Sequence, residues 1–125
     1  EPDEPEGEDS EETEAEDDAQ KIEGKLFIKV DHQLIGLDVE QISMVEAMAD
    51  YVRIYTDAKR YIVYSSMKGI ANKLPNHSFM RVHRSYIVNL NRISSIEDNT
   101  LVINGNLVPV GVTYQKLLMK RLNTL

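Results

Sequence analysis

Short apolar runs of period two, each closed by turn residues, recur from Lys25 to Val108. Side chains alternate across a strand, so a chain patterned this way buries its apolar groups on strand faces. Tyr51 to Thr56 is the cleanest case. Val52 and Ile54 fall on one face, and Tyr51, Arg53 and Tyr55 on the other. Leu26 to Val30 and Leu34 to Leu37 flank Asp31-His32-Gln33 as a hairpin. Asp38 to Gln41 fits one helical turn before a further strand over Ile42 to Ala47, and Asp57-Ala58-Lys59 turns the chain into Arg60 to Tyr64. Runs and turns at this spacing predict a mainly β fold.

Two short helices interrupt the pattern. Ser66 is placed to accept from the first unpaired amides of a helix, and Met67, Ile70, Ala71 and Leu74 follow at helical spacing until Pro75 stops it. That helix is expected to pack on a sheet, with Lys68 and Lys73 outward. The second is predicted over Thr113 to Asn123, with Tyr114, Leu117, Leu118 and Leu122 on its core face and Lys116, Lys120 and Arg121 elsewhere. Between the helices, Leu101-Val102-Ile103 and Leu107-Val108 surround Asn104-Gly105-Asn106. Asn-Gly suits the left-handed dihedrals of a type I′ hairpin. Pro109 lacks an amide, so its strand is an edge or ends there. Gly111 lets the backbone bend, and the loop into Thr113 offers helix-start amides to an anion.

The net charge of −7 averages two unlike parts. Residues 1–23 hold thirteen acids against Lys21 alone, net −12; residues 24–125 hold thirteen bases and eight acids, net +5. Residues 1–24 carry almost no apolar side chain and are expected to be a disordered acidic interdomain linker, since nothing there offsets ordering entropy. A second possibility is that they lie on the basic face and compete with a nucleic acid. Residues 25–125 form the folded domain. The chain begins at Glu1 without methionine, which suggests a piece of something longer. With no cysteine, no signal-peptide pattern and no apolar run of membrane length, the expectation is a cytoplasmic module without disulfides.

Phe79 to Asn91 carries the clearest functional signal. Met80 and Val82 alternate with Arg81 and His83, Tyr86, Ile87 and Val88 are β-formers, and His83-Arg84-Ser85 is a polar corner between the two runs. Binding residues favour such corners on stiff scaffolds. An ordinary solvated corner is the plainer alternative. Arg81 also has the option of pairing with an acid across a strand, and Asn89 reads as structural. Catalysis finds no support. His32, His77 and His83 are scattered, no metal-ligand spacing or nucleophile–base pair occurs, and the acids lack a calcium-loop pattern. Neither metal nor cofactor is expected. Arg53, Lys59, Arg60, Arg81, His83, Arg84, Arg92 and Lys116 instead fall at strand ends, turns and the second helix start, suited to neutralising phosphates.

HRSYIVNLNRI, followed by INGNLVPVG and TYQKLL, resembles the LytTR-type DNA-binding domain, the output module of many bacterial response regulators of the LytR/AlgR kind. The resemblance covers about Lys25 to Leu122. It implies an elongated, multi-sheet antiparallel β fold with two short helices. It implies double-stranded DNA as partner, with loops entering successive major grooves of direct repeats. It also implies an upstream receiver domain switched by phosphorylation, and a monomer that dimerises on DNA or in the longer protein. On that picture one reading point is Asp50 and Tyr51, with Arg53 beside them. His83 with Arg84 is the second, and the loop from Gly111 through Thr113 to Lys116 the third. Lys59, Arg60 and Arg92 are further expected contacts. Many family members carry an arginine before the last helix where this chain has Val112, which shifts discrimination toward Arg84. The competing expectation is a protein-interaction module that takes an added strand at the Pro109 edge.

Overall fold

A computed structural model describes residues 24–125. The acidic stretch expected to be a disordered linker lies, except for Gly24, outside the described residues. The described part contains ten strands in three antiparallel sheets and two α-helices.

The central sheet has five strands in the order β5-β4-β3-β7-β6. They are β3 (Ile42–Ala47), β4 (Val52–Thr56), β5 (Arg60–Val63), β6 (Phe79–His83) and β7 (Tyr86–Asn89). The middle strand β3 is buried from Ile42 to Val45 because the sheet is covered on both faces. On one face, Val45, Val52, Ile54, Phe79 and Ile87 share a core with Leu26, Ile28 and Leu37 of the β1–β2 hairpin (Lys25–Val30 and Gln33–Asp38). Met67, Ile70 and Leu74 from helix α1 (Met67–Lys73) complete that core. Ser66 caps α1, accepting from the Gly69 amide at 3.0 Å, as its sequence predicts.

The other face carries a second core. Met44, Met80, Val82 and Val88 meet Leu101, Ile103 and Val108 of a three-stranded sheet, and Leu118 of helix α2 (Val112–Arg121). That sheet is β8 (Ile93–Glu97), β9 (Thr100–Ile103) and β10 (Asn106–Pro109), ordered β10-β9-β8. Asn104 and Gly105 have φ 49° and 83°, so the β9–β10 turn has the left-handed residues of a type I′ hairpin, and Asn106 already belongs to β10. Pro109 is the last residue of an edge strand, where its missing amide costs no ladder bond.

Three details depart from the sequence patterns. Strand β8 has no clean alternation to announce it; its turn into β9 uses Asp98 and Asn99 at φ 52° and 62°, residue types that tolerate the left-handed region. Helix α2 starts at Val112 and ends at Arg121, one residue earlier and two earlier than expected. Leu117, expected on its core face, is 53% exposed, because α2 docks through Leu118 with Tyr114 and Leu122 beside it. Asn89 is structural, as expected: its amide donates to the Ile42 carbonyl at 2.9 Å and its side-chain oxygen accepts from the Asn91 amide at 3.0 Å.

Candidate nucleic-acid interface

Three connections meet at one end of the five-stranded sheet. The β3–β4 corner, Met48 to Tyr51, closes with the Met48 amide donating to the Tyr51 carbonyl at 2.8 Å. The β6–β7 corner is the two-residue turn Arg84-Ser85, since His83 pairs with Tyr86. These corners are joined directly: the Ala47 amide donates to the Ser85 carbonyl at 2.8 Å. The third connection, from β10 into α2, is joined to the second, because the Gly111 amide donates to the Val82 carbonyl at 2.7 Å. Backbone bonds of this kind hold loops far more rigidly than exposed side-chain contacts do.

The β6–β7 corner is braced from within. Arg81, which had the option of pairing with an acid, instead donates to the carbonyls of His83 and Arg84. His83 Nδ1 accepts the Ser85 amide at 3.1 Å, so the neutral ring carries its proton on Nε2, where it remains a donor. The His83 ring meets Tyr86 edge-on at 5.6 Å. Arg84 sits at the tip and is exposed. On the first corner Asp50 is exposed, and Tyr51 packs edge-on against the exposed Tyr64 with centroids 5.9 Å apart. At the third, Gly111 caps α2 with no side-chain cap bond, Val112 is 83% exposed, and Thr113 and Lys116 are exposed one turn apart. Asp50, Tyr51, His83, Arg84, Thr113 and Lys116 are therefore brought to one end of the fold.

Arg53 lies just below, on the sheet itself. It pairs across strands with Glu46, which in turn pairs with Tyr86. The Glu46 carboxylate accepts from Tyr55 at 2.7 Å and from Tyr86 at 3.1 Å, and Arg53 Nη1 stands 3.5 Å from it and 3.3 Å from the Tyr55 hydroxyl. The Tyr55 hydroxyl foremost, with Tyr51 and Glu46, holds the guanidinium more firmly charged than usual, against the opposing effect of burial. Burial first, and the bond to Glu46 second, push the Tyr86 phenol above its ordinary value. Glu46 was not among the residues singled out from the sequence; a lone acid in a strand carries no local signal.

Lys59, Arg60 and Arg92 are placed elsewhere. The Asp57–Lys59 turn closes the opposite end of β4, roughly 16 Å away at the rise of a strand. Lys59 rests over the Tyr61 ring and Arg60 over the Tyr55 ring, at 5.0 and 5.8 Å from the centroids. Arg92 grips Asp57 with both terminal nitrogens, at 2.7 and 2.9 Å, and donates to the Glu40 carbonyl at 3.1 and 2.6 Å. That geometry is a structural clamp between the β4–β5 turn and the 3₁₀ turn Val39–Gln41, which leaves little of the guanidinium for a ligand. Among the described residues no three His, Asp or Glu side chains gather to hold a metal, and no helix is long and apolar enough to cross a membrane.

Residues 32–123 match the profile of the LytTr DNA-binding domain family. The sensory transduction protein LytT of Bacillus anthracis is 34% identical over 104 residues, which are 78% of this chain and 42% of that protein. The transcriptional regulatory protein YpdB of Escherichia coli K12 is 33% identical over 76 residues, 58% of this chain and 31% of that protein. The chain thus spans about two-fifths of the length of the LytT relatives it matches. Among solved structures, a LytTr DNA-binding domain of a response regulator from Bacillus cereus superposes with a TM-score of 0.69 at 26% identity, over 82% of this chain and 99% of that one.

Proposed function

The chain belongs to the LytTr DNA-binding domain family, and from that premise we propose that it binds double-stranded DNA in a sequence-dependent way and regulates transcription. The observation that carries this is the pair of backbone bonds, Ala47 to Ser85 and Gly111 to Val82, which fasten three loops into one surface. A surface built of loops on a stiff sheet keeps its side chains in fixed register with the grooves. Arg84, at the tip of the β6–β7 corner, has the geometry to meet a guanine edge with two donors. The His83 Nε2 proton, Thr113 and Lys116 supply donors for phosphates, and the uncapped start of α2 adds backbone amides there. Asp50 and Tyr51 contact the duplex from the first corner. Lys59, Arg60 and Arg92, at the other end of the sheet, contribute to folding and to the general field, not to base reading.

We further propose the wider arrangement expected from the sequence resemblance. The domain is the output end of a cytoplasmic two-component response regulator, with a receiver domain upstream and residues 1–24 as the acidic link between them. It binds direct repeats, as a monomer when isolated and as a dimer in the longer protein. The test is selection of bound duplexes from a random pool, followed by a salt titration on the best sequence and a scrambled one. A common motif and a steep salt dependence support the proposal. Retention of no duplex at low salt would refute it.

A further inference from the structure

Beneath the three loops the sheet carries a carboxylate, which is the wrong charge for the floor of a polyanion site. Glu46 stands directly opposite Arg53 on one neighbouring strand and Tyr86 on the other. Its two oxygens take the Tyr55 and Tyr86 hydroxyls at 2.7 and 3.1 Å, and Arg53 Nη1 lies 3.5 Å away. Both charged side chains are mostly covered, at 26% and 21% exposure for Arg53 and Glu46. Its immediate neighbour Ala47 provides the bond to Ser85.

Resting on the DNA-binding proposal above, we infer that Glu46 is a positioning residue that withholds Arg53 from the phosphates. An arginine so close to two reading corners would otherwise reach any duplex, whatever its sequence. Paired with Glu46 and bonded to Tyr55, it adds no net charge and is tied to its neighbours on the sheet face. The effect is to lower sequence-independent affinity, so that discrimination rests on the corners above. Phosphate contacts set affinity without reading bases, so withholding one lowers binding to every duplex by about the same factor and leaves base contacts a larger share of the total. The same tether spaces the corners, because Glu46 reaches β4 through Arg53 and Tyr55, and β7 through Tyr86.

Glu46→Gln keeps the size and one acceptor but removes the negative charge beside Arg53, leaving its bond to the Tyr55 hydroxyl. Fluorescence anisotropy on scrambled and selected duplexes across a salt series reads the outcome. For Glu46→Gln the plot of log affinity against log salt should steepen by about 0.9, the increment for one added phosphate contact. Affinity for the scrambled and the selected duplex should rise by about the same factor, and Glu46→Gln with Arg53→Gln should return both to wild type. A remote charge effect gives the same affinities, so NMR of the Arg53 guanidinium decides. Its resonances should stay put when wild type binds DNA and shift when Glu46→Gln does. A merely structural Glu46 would lower the melting temperature and leave the salt slope unchanged, overturning the inference. Perturbation of the Arg53 resonances in the wild-type complex would overturn it too, and needs no variant. Wild type with no salt-dependent binding would sink the DNA-binding proposal itself, whereas binding with an unaltered Glu46→Gln slope sinks only this one.

Discussion

The amide of Ala47 lies 2.8 Å from the carbonyl of Ser85, and that contact ties together two corners far apart in sequence. Strand β3 enters the first corner at Ala47, and β7 leaves the second just after Ser85. Gly111 adds the third segment through Val82. The backbones of these three segments are thereby tied to one another, and several measurable consequences depend on that.

Arg84 and Arg92 should separate cleanly. Arg84→Ala should weaken binding to the selected duplex by roughly 1–3 kcal/mol and relax preference at one position, with little change in stability. Arg92→Ala breaks the grip on Asp57 and Glu40, and should cost stability of roughly 1–2 kcal/mol while leaving discrimination intact. Anisotropy titrations and urea midpoints on both variants check the pair.

Val112 presents an apolar side chain at 83% exposure at the first position of α2, where many family members carry arginine. Valine cannot donate to guanine, but it suits the methyl group of thymine. Replacing single thymines by uracil in the selected duplex should weaken wild type at one position and leave Val112→Ala indifferent there. Val112→Arg should tighten binding and move the preference at that position toward guanine.

Tyr86 should make stability fall in alkali. Burial and the Glu46 bond raise its phenol above 10.0, so the fold favours the neutral form more than the unfolded chain does. Its contribution is complete below pH 10 and is lost as pH rises through the raised value. Urea midpoints measured from about pH 8 to 11 should converge for wild type and Tyr86→Phe as the phenol ionises.

Residues 1–23 join the fold at Gly24, whose carbonyl accepts the Val39 amide at 2.9 Å, at the end of the sheet remote from the three loops. Their net charge of −12 against +5 for the rest favours competition with a duplex. Fully stretched, the segment reaches about 76 Å, well beyond the length of the sheet. Deleting residues 1–23 should raise DNA affinity, most at low salt. Equal affinities across a salt series would leave it a plain link.

Much of the fold was legible because its signals are local. Val52 and Ile54 alternate with polar residues, Ser66 announces a cap, and Asn104-Gly105 announces a turn; the structure has each. Strand β8 was not legible, since its apolar positions Ile93 and Ile96 do not alternate and its exposed residues resemble a loop. Candidate site residues were legible by type but not by place. A cationic turn residue looks the same at either end of a strand, so Lys59 and Arg60 read like Arg84 until the hairpin sets direction. Arg92 and Glu46 depend on partners 35 and 7 residues away, Asp57 and Arg53, which no local pattern discloses. Leu117 shows the limit of periodicity, which finds a helix's apolar stripe but not which edge of it the neighbouring sheet covers.

The central claim is that the β3–β4 corner, the β6–β7 corner and the start of α2 together face the duplex. Backbone amide NMR on the protein titrated with its selected duplex tests it most directly. Shifts should gather at Asp50 and Tyr51, at His83 to Ser85 and from Val112 to Lys116, sparing Lys59, Arg60 and Arg92. Shifts concentrated around Asp57 to Arg60, or along the Leu107–Pro109 edge, would contradict it.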